Sequence, residues 1–438
     1  MAESEFVKVN AHFVDHLVEL SNNNPVIATE DIYSGTGVKL LMKGTPVTQH
    51  LRDRLLAHKL VKPLEASLQV TDAVDGDELS QLVRTIAEER PELDALCGLG
   101  AGLSGSEGRS ERRWWSLAYV RSVPLDSVSL LLLTMGRRDG GIPLRHAVMV
   151  TLIALGLGRR MRVSEETLRS LTIAGLLHDV GELYIDPQTL APGHRVTIKE
   201  WRDIVAHPAI GYKLLRGIGD IGPSAARAVL EHHERWDGSG YPRGITGAQM
   251  SIAGQVVAAA EMLTGLLNKS GQTLQRVHIA LKALSPGLAP DVLAAIHDVM
   301  AEMGTDPSCA VPNTGAVIDS LRSTADVLAH VEQVLGKATA EAQSIVAREL
   351  IADVNNRFQN IHRAFSRSGP GSLPIEAMTA LLSEADAGDL VNETADVCDE
   401  IRWRLRELAR STVTRVAQLE EAYQVEFTTL LTEMQVAG

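Results

Sequence analysis

The sequence predicts a mainly α-helical protein with a small α/β segment at its N-terminal end and a separate helical region at its C-terminal end. Three observations carry this. Aromatic residues make up only 4% of the 438-residue chain, which is rich in Ala, Leu, Val, Glu and Arg. Helical periodicity continues from about Val123 to Leu288. The final stretch places Ile401, Leu405, Leu408, Val416, Leu419, Tyr423, Phe427, Leu430 and Met434 at three- and four-residue spacing, an amphipathic stripe. The length suits about two to four domains.

Taken in order, residues 1–20 read as a short helix with Phe13, Val14, Leu17 and Leu20 on one face, broken by Ser21 to Asn24. Val26 to Ala28 and Val38 to Met42 read as short strands separated by Asp31 to Gly37, with a turn at Lys43-Gly44. Thr48 is placed to N-cap a helix through His58. Together these form a small α/β domain over residues 1–75, in which His12, His16, His50 and His58 are scattered and read as structural or solvated. Residues 76–122 hold a helix from Asp77 to Leu96, interrupted at Pro91, and a Gly/Ser-rich linker at 98–112. Arg112, Arg113, Trp114 and Trp115 follow; such a cluster can stack on a base, but packing is the expected use of tryptophans at a helix start. Residues 123–300 form the chemically loaded helical domain. Residues 313–438 form a second helical domain, interrupted from Ser366 to Pro374. Its stripe suits antiparallel bundle packing, a homodimer interface or a signalling partner.

A net charge of −13 argues against a chain-wide surface for nucleic-acid polymers or anionic membranes. The longest apolar run, around Val128 to Leu133, is far too short to span a bilayer. Cys97, Cys309 and Cys398 are far apart and form no C-x-x-C pair, which fits free thiols in a reducing compartment. The acidic start M-A-E-S-E-F has no apolar core of a signal peptide, so a cytoplasmic protein is expected.

The chemistry gathers between His146 and Glu261. His146, His178, Asp179, His207, His232 and His233 are all strong ligand types, and Glu261 is a carboxylate inside an apolar helix. Left unpaired there, it would cost several kcal/mol, so a metal or a buried partner is the natural explanation. Imidazoles suit Fe, Mn, Zn or Co, and a carboxylate can bridge two ions about 3.5–4 Å apart. His232 and His233, adjacent on a helix, point about 100° apart and can serve two neighbouring ions. Gly238 and Gly240 leave room for close backbone approach, and Pro242 fixes the loop exit.

Roughly residues 140 to 268 resemble the HD-GYP family of metal-dependent phosphohydrolases. The resemblance lies in H-D-V-G (178–181), E-W…A-H-P-A-I-G (200–211) and H-H-E-R-W-D-G-S-G-Y-P-R-G-I (232–245). It implies an all-helical HD-type metal-binding core that opens cyclic di-GMP to linear pGpG or GMP through a hydroxide bridging two divalent ions, Fe or Mn. By that resemblance His146, His178, Asp179, His207, His232, His233 and Glu261 are metal ligands. Asp179, His178 and Glu182 are the expected catalytic residues, and Tyr241, Gly238, Gly240, Arg243 and Lys213 the expected substrate contacts.

Four departures from the family pattern matter. Glu182 stands where the family has a lysine, and would share a helical face with His178 and Asp179 if that helix continued. The later motif A-D-x-x-D-A-L reads Ala260 to Leu266, with Glu261 for its first acid and Thr264 for its second. Asn268 to Gly271 replace R-P-Y-R, and no acid precedes His146 in the turn where three-metal members carry a Glu, so two ions are expected rather than three. These changes keep two alternatives open. One is a degenerate module that binds metal or nucleotide and docks partners with little turnover; the other is a hydrolase for a different phosphate ester.

Overall fold

Asn10 opens the first helix, its side-chain oxygen accepting from the Phe13 N–H at 3.0 Å. The computed structural model describes residues 7–90, 93, 115–123, 125–137, 144–191, 194, 196–217, 221–268, 287–303, 312–384, 386–416, 419, 424–427 and 430. The chain divides into two compact units. The first takes Met1–Val196, Asp203–Thr264 and Pro290–Met303; the second takes Thr197–Arg202, Gly265–Ala289 and Gly304–Gly438.

In the first unit, α1 (Ala11–Ser21) buries Phe13, Val14, Leu17, Val18 and Leu20, the expected face. Three small antiparallel pairs adjoin it. They are β1 (Val7–Lys8) with β5 (Lys59–Leu60), β2 (Val26–Ala28) with β6 (Leu68–Val70), and β3 (Ile32–Tyr33) with β4 (Lys39–Leu41). Val26 sits opposite Val70 and Ala28 opposite Leu68. Only β2 and β4 match expected strands; β1, β3 and β5 have two residues and β6 three, too short to show alternation. Thr48 precedes α2 (Gln49–Leu56) in extended geometry, but its side chain makes no capping bond. Next comes α3 (Gly76–Glu89), capped by Asp75 and closed at Arg90, so it breaks at the expected Pro91, which disfavours helical geometry before it; residues 94–96 lie outside the described residues.

Residues 98–112, Arg113 and Trp114, read above as linker and cluster, lie outside the described residues. Trp115 begins α4 (Trp115–Ser122) and packs: the Arg159 guanidinium lies 4.5 Å from its ring centre and Tyr119 meets it edge-on.

The helical core follows with α5 (Ser127–Met135), α6 (Leu144–Arg160), α7 (Glu165–Leu177), the short α8 (Pro187–Leu190), α9 (Ile198–Arg216), α10 (Pro223–Glu231), α11 (Ile252–Leu267) and α12 (Pro290–Met303). Helix α6 is buried almost all round, from Ala147 to Gly158. Helices α6 and α7 touch backbone to backbone at Gly175, where a Cβ would stand 2.8 Å from the Thr151 Cα. Only glycine allows that approach, and it fixes how far the end of α7 reaches.

The second unit contains α13 (Thr314–Glu341), α14 (Ile345–Arg367), α15 (Ile375–Leu382) and α16 (Gly388–Val416). Leu321, Leu328, Val331, Ile351, Val354, Phe358, Ile401, Leu405 and Leu408 share its core. Arg402 ties α16 to α13 by donating to the Thr324 hydroxyl at 3.1 Å and the Ser320 carbonyl at 2.8 Å. The stripe from Ile401 is buried as expected at Leu405, Leu408 and Val416, but the helix ends at Val416. Phe427 then sits in a 3-10 turn, buried all the same. Tyr423 and Met434 lie outside the described residues. Among the described residues, no single helix is long and apolar enough to cross a membrane.

Candidate metal centre

Three of the histidines are held by one device. His178 follows α7, His232 follows α10, and His207 lies within α9; in each, Nδ1 meets the carbonyl three residues earlier. The distances are 2.8 Å to Gly175, 2.6 Å to Val229 and 2.6 Å to Ile204. At a helix end those carbonyls have no intrahelical donor, so the ring supplies one. Inside α9 the vacancy is made by Pro208, which has no N–H to give to Ile204 one turn back. Sequence reading noted Pro208 only as part of a motif; its chemical use is to free this carbonyl for His207.

A ring that donates through Nδ1 leaves Nε2 bare. Those bare nitrogens converge. His178 Nε2 lies 3.2 Å from His146 Nε2, and His207 Nε2 lies 3.1 Å from His232 Nε2. Two unprotonated nitrogens at such distances repel unless a proton or a metal cation lies between them. Asp179 joins the two groups: one carboxylate oxygen is 2.9 Å from His178 Nε2, and the other is 3.4 Å from both His207 and His232. Glu261 closes the first group at 2.9 Å from His146 and 3.3 Å from His178, and its Oε2 is buried without a hydrogen-bond partner. His233 completes the second group beside Asp179, His207 and His232. This donor set, convergent and unsatisfied, fits two divalent cations sharing one carboxylate.

The titration behaviour says the same. Burial pulls His178 down, yet Asp179 and Glu261 outweigh it and hold the imidazole well above its usual range. Burial likewise pushes Asp179 and Glu261 up, but the surrounding histidines hold both well below the ordinary carboxylate range. His232 is pushed down to about 4, first by burial and then by its charged neighbours. Two carboxylates here require positive charge, and the protein answers with ring nitrogens rather than Lys or Arg.

Behind the centre a loop is fastened by two buried acids that sequence reading missed. Glu231 accepts from Arg227 Nε at 2.8 Å, Arg243 Nη2 at 2.9 Å, the Ser251 N–H at 2.8 Å and the Ser251 hydroxyl at 2.6 Å. Glu234 accepts from the N–H groups of Arg243 at 2.8 Å and Ile245 at 3.1 Å. Their signal was present as an acid on each side of His232-His233, with arginines at 227 and 243. Gly240 passes so close to Arg235 N and the His233 carbonyl that a Cβ would collide, and Gly238 sits at φ +78°, where side chains are disfavoured. Tyr241 therefore stacks on His233, with ring centres 4.6 Å apart.

Other expected residues are placed differently. Arg243, expected on substrate, directs its guanidinium to Glu231. Lys213 is exposed on α9. Helix α7 stops at Leu177, so the condition for Glu182 to share a helical face with His178 and Asp179 is not met. Glu182 lies in a 3-10 turn, Val180–Tyr184, because the Asp179 backbone has left helical geometry. Burial and then the Asp179 charge push Glu182 up to about 7. Thr264 bonds back to the Ala260 carbonyl at 2.8 Å within α11.

Comparison with known proteins follows the same residues. Residues 127–286 match the HD domain family. The chain is similar to the cyclic di-GMP phosphodiesterase response regulator RpfG of Xanthomonas campestris, 35% identical over 157 residues, covering 35% of this chain and 40% of that protein. A cyclic di-GMP phosphodiesterase of Thermotoga maritima is 31% identical over 157 residues, covering 34% and 43%. A 3'3'-cGAMP-specific phosphodiesterase of Vibrio cholerae is 33% identical over 122 residues, covering 28% and 25%. The chain thus spans at most about two fifths of the length of these relatives.

Proposed function

We propose that this chain, which carries an HD domain of the HD-GYP kind, is a metal-dependent phosphodiesterase that hydrolyses cyclic di-GMP to linear pGpG or GMP. The observation that carries the reading is Asp179, one carboxylate facing two groups of bare imidazole nitrogens. His146, His178 and Glu261 would hold one ion, His207, His232 and His233 the other, with Asp179 common to both. Imidazole and carboxylate donors suit Fe or Mn. Such ions supply a water activated at neutral pH and neutralise the charge that builds on a phosphate. Tyr241, held over His233 by Gly240 and the two buried acids, shapes the substrate side. Glu182 puts an acid where the family has a cation and offers a further oxygen donor near Asp179. A cytoplasmic location belongs to the same reading, since Cys398 is free and buried.

The test is turnover by chelator-free protein loaded with Mn²⁺ or Fe²⁺, on cyclic di-GMP and on 3'3'-cGAMP, with Asp179→Ala as control. Product that disappears in the control supports the enzyme, and the preferred dinucleotide identifies its substrate. Metal bound without turnover on either would favour a second reading, a module that binds metal or nucleotide and docks partners, through the C-terminal helices or as a homodimer. A specific observation speaks for it: of the two cations expected as substrate contacts, Arg243 is bonded to Glu231 and Lys213 is exposed.

A further inference from the structure

We infer that the N-terminal α/β segment is a positioning element of the metal centre, gripping it through Tyr184. The inference rests on the metal reading above and adds residues that no ligand motif contains. Tyr184 ends the five-residue 3-10 turn that begins directly after Asp179. The Phe13 ring lies parallel to the Tyr184 ring, 4.7 Å away and 12° off plane. Asn10 donates from Nδ2 to the Tyr184 carbonyl at 3.1 Å, while its Oδ1 caps α1 at the Phe13 N–H. The Tyr184 hydroxyl is itself buried. Ring and carbonyl of one residue are thus both engaged by the N-terminal segment.

The other end of the turn is engaged by the metal centre. Gly181 presses on the His207 carbonyl so closely that a Cβ would collide, and Gly211 lies beneath it. Asp179 belongs to both donor groups. A 3-10 turn rises about 2 Å per residue and its five residues leave no slack. A shift at Tyr184 must therefore appear at Gly181, and so at Asp179 and His207. Groups that orient metal ligands from outside typically change affinity roughly 10- to 100-fold when removed.

The experiment uses the full chain, with Mn²⁺ affinity measured by chelator competition and amide hydrogen exchange of residues 180–185 measured without metal. Asn10→Asp keeps a capping oxygen for α1 but loses the donor to Tyr184. Phe13→Ala removes the stacked ring, and Phe13→Tyr keeps it. Leu55→Ala opens a cavity elsewhere in the same segment and controls for lost stability. Asn10→Asp and Phe13→Ala should weaken Mn²⁺ binding roughly tenfold and speed exchange in 180–185, while Phe13→Tyr and Leu55→Ala stay near wild type on both. Unchanged Mn²⁺ affinity in Asn10→Asp and Phe13→Ala overturns the inference, as does an equal loss in Leu55→Ala. Wild-type chain that takes up no Mn²⁺ overturns the metal reading itself, a result distinct from any difference between variants.

Discussion

Two pairs of buried carboxylates flank the same histidines and are satisfied in opposite ways. Glu231 and Glu234 accept from arginines, a serine hydroxyl and backbone N–H groups, every one a true donor. Asp179 and Glu261 face ring nitrogens, and in His178, His207 and His232 the other nitrogen is turned to a backbone carbonyl, so only a further proton or a cation on Nε2 satisfies the two acids. The first pair is complete as folded and fastens a loop. The second pair is complete only with added positive charge. A buried acid therefore signals a ligand by what its partners lack, and burial alone does not separate the two cases.

The largest effect expected from this contrast is on metal binding. Asp179→Ala should weaken Mn²⁺ binding by more than about 100-fold at each of two ions, beyond the range for outer partners, as read by equilibrium dialysis with elemental analysis. Glu231→Ala should instead leave the ion count unchanged and cost about 3 kcal/mol of unfolding free energy in urea, because Ser251 and two arginines lose their acceptor. In metal-free protein Asp179→Ala should cost less stability than Glu231→Ala; the reverse ranking would break the comparison.

Smaller effects sharpen it. Gly175→Ala drives a methyl into the Thr151 backbone and should cost about 1–3 kcal/mol. It should also weaken Mn²⁺ binding, because the same residue's carbonyl orients His178. Asp179 and Glu261 hold the metal-free His178 protonated above the usual imidazole range. The stability from that proton is present below about pH 6.5 and is lost as pH rises through the raised folded value. The proton also competes with metal, so Mn²⁺ affinity should rise with pH, by up to about tenfold per unit while His178 remains protonated. Calorimetric titration in buffers of differing ionisation enthalpy would show the released proton; a flat pH profile would contradict it.

Much of this was legible in the sequence, for physical reasons. Metal-ligand chemistry is confined to few residue types, so His146, His178, Asp179, His207, His232, His233 and Glu261 could be named from spacing and resemblance. The structure then brings them together. The mainly helical class followed from the 3.6-residue period of long helices. What stayed hidden depends on where helices stop. Glu182 would share a face with His178 and Asp179 only if the helix continued, and α7 ends before His178. The C-terminal stripe read as one helix, whereas Phe427 lies in a 3-10 turn and is still buried in the same core. Arg243 was named only as a substrate contact; its bond to the buried Glu231, twelve residues away, appears only in three dimensions. Tyr184 carries no ligand chemistry at all, so its place between segment and centre appears only in three dimensions.

The central claim is that Asp179 joins two ions. Anomalous diffraction at the manganese edge from Mn²⁺-loaded crystals tests it most directly. The account predicts two peaks, one among His146, His178 and Glu261, one among His207, His232 and His233, each in contact with an Asp179 oxygen. A single peak, or peaks that leave Asp179 out, would contradict it.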